Sequence, residues 1–125
     1  MILIDSCGWI EYFGEGPLAD QYASFIERTE KSEMIMPTIV IYEVYKKIKC
    51  VKGEEKALEA YAQMSLTHVV ELTSALSLKA ADISISKEVA MADAIVIATA
   101  KDYEAQIITS DQHFEKVDGV KIVSK

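Results

Sequence analysis

Five short apolar runs, spread along the whole chain, constrain the fold of this sequence most strongly. They lie at 2–4, 34–36, 68–72, 106–109 and 120–123. Each run is continuous rather than alternating, which is typical of strands that are covered on both faces. Because such strands belong to parallel sheets, the runs predict a mostly parallel sheet of about five strands.

Segments long enough for helices separate these runs. We expect helices at about 17–31, 38–51, 54–65, 74–86 and 91–104. Thr38 and either Thr73 or Ser74 are suited to cap two of them. The alternation of strand and helix predicts an α/β/α sandwich, and a chain of 125 residues is long enough for a single domain, 1–125, with its own core. In such folds, ligands bind beyond the carboxyl ends of the strands, where the strand order reverses.

The composition limits the classes of function that are open to the chain. The formal net charge of −7 and the sequence pI of about 4.8 argue against a protein that binds nucleic acid through overall positive charge. No apolar stretch is long enough for a membrane span, and the N-terminus lacks the features of a signal peptide. Cys7 and Cys50 form neither a CxxC motif nor a zinc site. These features predict a soluble, cytoplasmic protein with reduced cysteines.

Two aspartates follow predicted strands. Asp5 ends the first apolar run, and Asp111 comes two residues after Thr109. If these strands are neighbours, both carboxylates reach the same edge of the sheet. Each also has an ordinary explanation, because Asp commonly caps helices and starts turns, and Asp5 would cap a short helix beginning near Gly8. Taken alone, neither residue decides between the two interpretations.

Two further acids lie on predicted helices. Asp93 shares a helical stripe with Val96 and Ile97, so it faces the core although burial of an acid is costly. Glu43 lies about 100° of helical rotation from the apolar stripe of its own helix. There it would either line a cleft or form an ordinary ion pair with a lysine one turn further on.

The acids are more informative as a set. Carboxylate oxygens are the ligands that Mg²⁺ and Mn²⁺ take, with waters completing the coordination. A cation would also offset the repulsion between grouped acids and their lost hydration. We therefore predict that one or two divalent ions are held by Asp5, Glu43, Asp93 and Asp111.

Several segments of the sequence resemble the PIN domain family, and in particular its VapC-type toxins. The resemblance extends over nearly the whole chain. The matching segments are ILIDSCGWIEYF, TIVIYEV, ADAIVIATA, IITSDQHF and VDGVKIV. The patterns ADAxIxATA and TxDxxF are the most distinctive of these.

The resemblance implies a compact nuclease that uses Mg²⁺ or Mn²⁺. It assigns catalytic and metal-binding roles to Asp5, Glu43, Asp93 and Asp111. The implied reaction is hydrolysis of RNA by a metal-activated water, leaving a 5′ phosphate. It also implies a toxin that pairs with a small DNA-binding antitoxin and forms a homodimer.

Possible helper groups and substrate contacts lie close to these acids in the sequence. They are Ser6, Thr109, Ser110, Lys46, Lys47 and His113. For His113, the alternative is a solvent-exposed turn.

A lysine-rich segment follows Glu43 and bears on how an acidic protein would bind RNA. Lys46 and Lys47, with the nearby Tyr42 and Tyr45, would form a basic rim with aromatic faces for unpaired bases. The alternative is a solvated helix face whose charge is balanced by the glutamates that follow it. Composition alone does not separate the two.

An aromatic cluster, Trp9 with Tyr12 and Phe13, follows the first acid. It is suited either to the core or to an interface with a partner.

The sequence features are also compatible, to different degrees, with functions other than a toxin. A housekeeping PIN nuclease in RNA maturation and a non-catalytic PIN-like binding module both stay open. A phosphoacceptor receiver domain fits poorly, because the third predicted strand ends in Leu72 and Thr73 rather than in an acceptor Asp, and neither proline follows a lysine. A haloacid-dehalogenase-like phosphatase would need a DxD motif, where this chain has Asp5, Ser6 and Cys7.

Overall fold

The computed structural model describes all 125 residues, with five strands and six α-helices in alternation. The strands are β1 (Ile2–Ile4), β2 (Ile35–Pro37), β3 (His68–Val70), β4 (Gln106–Thr109) and β5 (Val120–Ile122). The helices are α1 (Ser6–Gly14), α2 (Ala19–Arg28), α3 (Thr38–Lys52), α4 (Glu54–Met64), α5 (Ser74–Lys87) and α6 (Met91–Asp102). Two short 3₁₀ turns lie at Lys31–Glu33 and Gln112–Phe114.

All strand pairs are parallel. The order β1-β4-β5 forms one sheet and β2-β3 a second, and a single bridge between Ile2 and Met34 joins them, so that the strands run in the order β3-β2-β1-β4-β5. The chain adds β2 and β3 on one side of β1 and then β4 and β5 on the other. The strand order therefore reverses between β1 and β4, and the prediction of an α/β/α sandwich with a mostly parallel sheet is confirmed.

The core consists mainly of the apolar runs predicted as strands, together with one stripe from each helix. Its largest cluster contains 20 buried residues, among them Leu3, Met36 and Ile108. A second cluster of five buried residues lies between α5 and α6. On α6, every residue from Ala94 to Ala100 is buried, which fixes that helix firmly against its neighbours. None of the helices is both long and apolar enough to span a membrane.

The chain departs from the predicted elements mainly near its N-terminus. Helix α1 begins at Ser6, directly after β1, rather than near Gly8, because the Asp5 side chain caps it. The segment 17–31 is not one helix: α2 ends at Arg28, since Thr29 adopts an extended conformation, and a 3₁₀ turn follows. The third strand ends at Val70 rather than at 72.

The predicted helix caps are half right. Thr73 caps α5, and its hydroxyl accepts a hydrogen bond from the N–H of Leu76 at 3.2 Å. The prediction for Thr38 is wrong, because Pro37 occupies the capping position and Thr38 is the first helical residue. Proline brings φ close to −65°, so it can lead into a helix without a side-chain cap.

Candidate metal centre

Asp5 lies where β1 ends and α1 begins, and it is only 6% exposed. One carboxylate oxygen, Oδ1, accepts a hydrogen bond from the N–H of Ser6 at 2.8 Å. The other, Oδ2, accepts one from the Thr109 hydroxyl at 3.1 Å. The Asp5 N–H in turn donates to the Ile108 carbonyl at 3.0 Å. Pairing of β1 with β4 thus holds Asp5 at the carboxyl edge of the sheet.

Asp111 is held at the same edge by the end of β4. Its N–H donates to the Thr109 hydroxyl at 3.0 Å, so one threonine links the backbone of Asp111 to the carboxylate of Asp5. Its Oδ1 accepts a hydrogen bond from the N–H of His113 at 2.9 Å and lies 3.2 Å from His113 Nδ1. Asp111 therefore begins a turn, as the ordinary explanation requires, and also faces Asp5 across the β1–β4 pair.

Asp93 and Glu43 reach this edge from two helices. Asp93 lies in the first turn of α6, half-buried, with Asp5 and Asp111 close enough for their charges to act on it. Glu43 lies on α3 and is also half-buried. The charges of Asp5 and Asp93 act on it, and it lies near the Ser6 hydroxyl. The fold thus brings together all four acids that the sequence singles out.

Three of these carboxyl groups have pKa values above the ordinary range. Burial is the main cause for Asp5, Glu43 and Asp93, and the negative charge of neighbouring acids raises each pKa further. For Asp5, hydrogen bonds from the Ser6 backbone and Thr109 partly oppose the rise. The cluster therefore resists ionisation on its own, and a nearby cation would relieve it.

The donor set fits a hard divalent cation. Carboxylate groups reach this edge from one strand end, one turn and two helices. The ligand atoms of Asp93, Asp111 and His113 all lie within 4.8 Å of one another, and Asp5 and Glu43 lie outside that closest group. Oxygen-rich sites of this kind suit Mg²⁺ and Mn²⁺, and the imidazole of His113 is compatible with Mn²⁺. His113 is itself exposed.

A small hydrogen-bonded network supports Asp5 from behind. The Cys7 thiol lies 3.3 Å from the Thr109 hydroxyl and 3.8 Å from Asp5 Oδ2, and the Ser110 hydroxyl donates to Cys7 Sγ at 3.5 Å. The buried Tyr22 hydroxyl lies 3.7 Å from the same sulfur. Thr109 and Ser110 are among the helper groups predicted from the sequence, whereas the places of Cys7 and Tyr22 in this network are not. The approach of these two side chains to each other depends on how α2 packs against α1.

The lysines after Glu43 fall into two groups. Lys46 and Lys47 line a groove of about 460 Å³ together with Ser6, Tyr42 and Glu43, and neither lysine forms a salt bridge. Lys49 and Lys56, by contrast, pair with Glu54 and Glu59 at 3.5 Å each. The alternative of a solvated helix face with balanced charge therefore holds for Lys49 and Lys56. Lys46 and Lys47 instead lie beside the acidic centre.

The aromatic cluster belongs mainly to the core. Trp9 is 2% exposed and stacks on Phe13 with ring centroids 5.7 Å apart. Its indole Nε1 is buried without a hydrogen-bond partner. Tyr12 and Phe13 are partly exposed, and the Tyr12 hydroxyl donates to Glu27 at 3.0 Å.

A parallel α/β sheet with four acids near the switch point of its strand order defines the class of this protein as an α/β domain with an acidic cluster at the carboxyl edge of its sheet. Comparison with known families makes this specific. The PIN domain family matches residues 2–120, so the chain belongs to the PIN domain family. A search of curated protein sequences finds no match.

Solved structures share the fold over the full length of the chain. A toxin–antitoxin complex from Klebsiella pneumoniae aligns with a TM-score of 0.80 and 20% identity, over 97% of this chain and 96% of that one. The VapC20 toxin of Mycobacterium tuberculosis, which cleaves the sarcin–ricin loop, aligns with a TM-score of 0.82 and 15% identity, over 99% and 100%. VapBC2 of Rickettsia felis, bound to a DNA fragment from its promoter, gives 0.79 and 13%, over 99% and 100%.

Proposed function

We propose that this protein is a divalent-metal-dependent ribonuclease. The observation that carries the proposal is the convergence of Asp5, Glu43, Asp93 and Asp111 at one edge of the sheet, with raised pKa values in three of them. Acids with raised pKa values in a shared site are typical of functional centres. Membership of the PIN domain family and the nuclease among the similar structures support the same reading.

The four acids would hold Mg²⁺ or Mn²⁺, as one ion or two. When bound, such an ion supplies positive charge for the phosphodiester and acidifies a coordinated water. The residues of the chain hold the carboxylate ligands in place. Asp5 is fixed by its two hydrogen bonds, Thr109 ties it to Asp111, and the Ser6 and Ser110 hydroxyls lie at the rim of the site. These contacts leave Asp5 and Asp111 little freedom, so the side chains of these two residues need little ordering when a cation binds.

Within this proposal the protein acts as the toxin of a toxin–antitoxin pair, in the cytoplasm, with a small DNA-binding antitoxin as partner and a homodimer as its working form. The support is that the similar structures include toxin–antitoxin complexes, and that three of the similar structures are bound to DNA. A housekeeping nuclease would use the same centre, and a non-catalytic binding module would bind the metal and RNA without cutting.

Cleavage of RNA by the purified protein tests the proposal. We expect cleavage of single-stranded RNA with Mg²⁺ or Mn²⁺ and none in EDTA, with 5′ phosphates on the products. Asp5→Asn and Asp93→Asn should each reduce the rate at least ~100-fold, because each removes a charged oxygen from the centre.

Asp118→Asn is the matched control for these variants. Asp118 is exposed and lies with Gly119 beside Gln106, at the opposite, amino-terminal edge of the sheet. This substitution removes one carboxylate without touching the centre, so cleavage should be unchanged. If partner-free protein cleaves no RNA with either metal, or if the Asp5 and Asp93 variants cleave as fast as the control, the protein is not this nuclease.

A further inference from the structure

A groove opens directly from the acidic centre along one face of α3. Ser6 and Glu43, which border the centre, line it together with Tyr42, Lys46 and Lys47. Its volume of about 460 Å³ lies within the ~300–1,000 Å³ of typical small-ligand sites. The groove is therefore large enough for a nucleotide next to the centre.

The groove holds a cation and an aromatic ring in a defined arrangement. Lys46 Nζ lies 5.6 Å from the ring centroid of Tyr42, and Tyr42 is 55% exposed. Lys46 follows Tyr42 by one helical turn and Lys47 follows Glu43 by one helical turn, so the ring and both ammonium groups lie along the groove. Neither Lys46 nor Lys47 is neutralised by a salt bridge, so both charges are available to an anion.

We propose that this groove binds the nucleotide flanking the scissile phosphate of a single-stranded RNA, with its base on Tyr42 and its phosphate at Lys46 and Lys47. The inference rests on the proposed ribonuclease function and narrows its substrate. A base can stack on an aromatic ring only when it is unpaired, because in an A-form duplex the base faces are already stacked. The flanking nucleotide is thus unpaired in the substrates that this protein cuts.

The same helix supplies an internal comparison. Tyr45 and Lys49 repeat the arrangement, with Lys49 Nζ 5.5 Å from the Tyr45 ring, but they lie outside the groove, and Lys49 pairs with Glu54. Tyr45 lies about 160° of helical rotation from Glu43. A lysine–tyrosine pair on α3 is therefore predicted to bind RNA only where it borders the centre.

The test measures binding of a fluorescein-labelled single-stranded RNA by the full chain in an Asp93→Asn background, which blocks cleavage. Tyr42→Ala should weaken binding about 5- to 100-fold, and Tyr42→Phe should keep it within about 2-fold, because Phe retains the stacking face. Lys46→Ala should weaken binding and reduce the slope of log K against log salt by about 0.7, the value for one phosphate contact on a single strand. Lys49→Ala is the charge-matched control and should change neither quantity.

Two further readouts bear on the same inference. In the otherwise wild-type protein, Tyr42→Ala should raise KM for RNA with little change in kcat, because a stacking contact made equally in the bound and transition states changes KM alone. Annealing the RNA to its complement should abolish the difference between Tyr42→Ala and its parent.

The outcomes separate this inference from the ribonuclease itself. If the Asp93→Asn parent binds RNA and the wild type cleaves it, but Tyr42→Ala and Lys46→Ala match Lys49→Ala, the groove has another occupant, such as a protein segment, and the inference is wrong while the nuclease stands. If annealed RNA shows the same Tyr42 effect as single-stranded RNA, the requirement for an unpaired base is wrong. If the parent does not bind RNA at all, both proposals fall.

Discussion

Asp5 combines two roles that at the level of the sequence look like alternatives. Its Oδ1 caps α1 through the N–H of Ser6, and its Oδ2 accepts from Thr109. An ionised carboxylate offers about four acceptor positions, so these two hydrogen bonds and the weaker one from the Cys7 thiol leave at least one lone pair for a cation. The capping interpretation and the metal interpretation of this residue are therefore compatible, and the cap fixes the side chain in the orientation that the centre needs.

The charge of Asp93 should cost stability when no metal is bound. Burial, together with the charges of Asp5 and Asp111, raises the pKa of this group. A raised carboxyl pKa contributes stability that is complete below the unfolded-state pKa and is lost as the pH rises through the folded-state value. In EDTA at pH 7, Asp93→Asn should therefore raise the free energy of unfolding modestly, because Asp93 is only half-buried and water screens its charge.

Thermal melts between pH 4 and pH 7 check this expectation. The Tm of Asp93→Asn should exceed that of the wild type by less as the pH falls from 7 toward 4. Saturating Mn²⁺ should make the wild type the more stable protein, because it binds the metal more tightly than the variant and is therefore stabilised more. A variant that is less stable than the wild type at pH 7 in EDTA would show that the ionised Asp93 is satisfied by the protein alone.

At the scale of elements, the packing of α1 on α2 depends on Gly8. A Cβ atom there would overlap the ring of the buried Tyr22 and lie 2.6 Å from Ile4 Cγ2. Both neighbours are core side chains that cannot move into solvent. Gly8→Ala is therefore expected to destabilise the protein by ~1–3 kcal/mol, as overpacking does, despite the better helix propensity of alanine.

Gly14, at the end of the same helix, provides the control. A Cβ at Gly14 would meet nothing within 4 Å, so Gly14→Ala should be neutral or stabilise by up to ~1 kcal/mol. Urea unfolding of both variants measures the difference. Equal stability of the two variants would mean that α1 and α2 are less tightly packed than the structure indicates.

The elements could be predicted largely from the sequence, and the reasons for success and failure are physical. Continuous apolar runs located the strands, since strands covered on both faces carry no alternation. Helix α1 was harder, because the chain passes from β1 into it without a loop and Asp5 serves both elements. No glycine or proline marks the end of α2 at Arg28, so the helix predicted from the sequence was too long at this end.

At the scale of the whole molecule, the arrangement of charge matters more than its total. The net charge is −7, yet Lys46 and Lys47 lie beside the acidic centre without salt-bridge partners. Asp5 and Asp111 could be predicted at this edge from their placement after strands and Asp93 from its helix stripe, whereas Glu43 lies on the flank of its helix, where the sequence also allowed an ordinary ion pair. The division of the lysines into two groups, the approach of Cys7 to Asp5 and the approach of Tyr22 to Cys7 depend on helix rotation and packing, which the sequence does not display.

Calorimetric titration of metal-free protein with Mn²⁺ measures whether the four acids act as one divalent-cation centre. We predict saturable binding of one or two ions by the wild type and by Asp118→Asn. Asp5→Asn and Asp93→Asn should each lose at least ~10-fold in affinity, more than ~1.4 kcal/mol of binding free energy. Absence of saturable binding, or equal Mn²⁺ affinity in all four proteins, would show that the four acids do not act as one cation-binding centre.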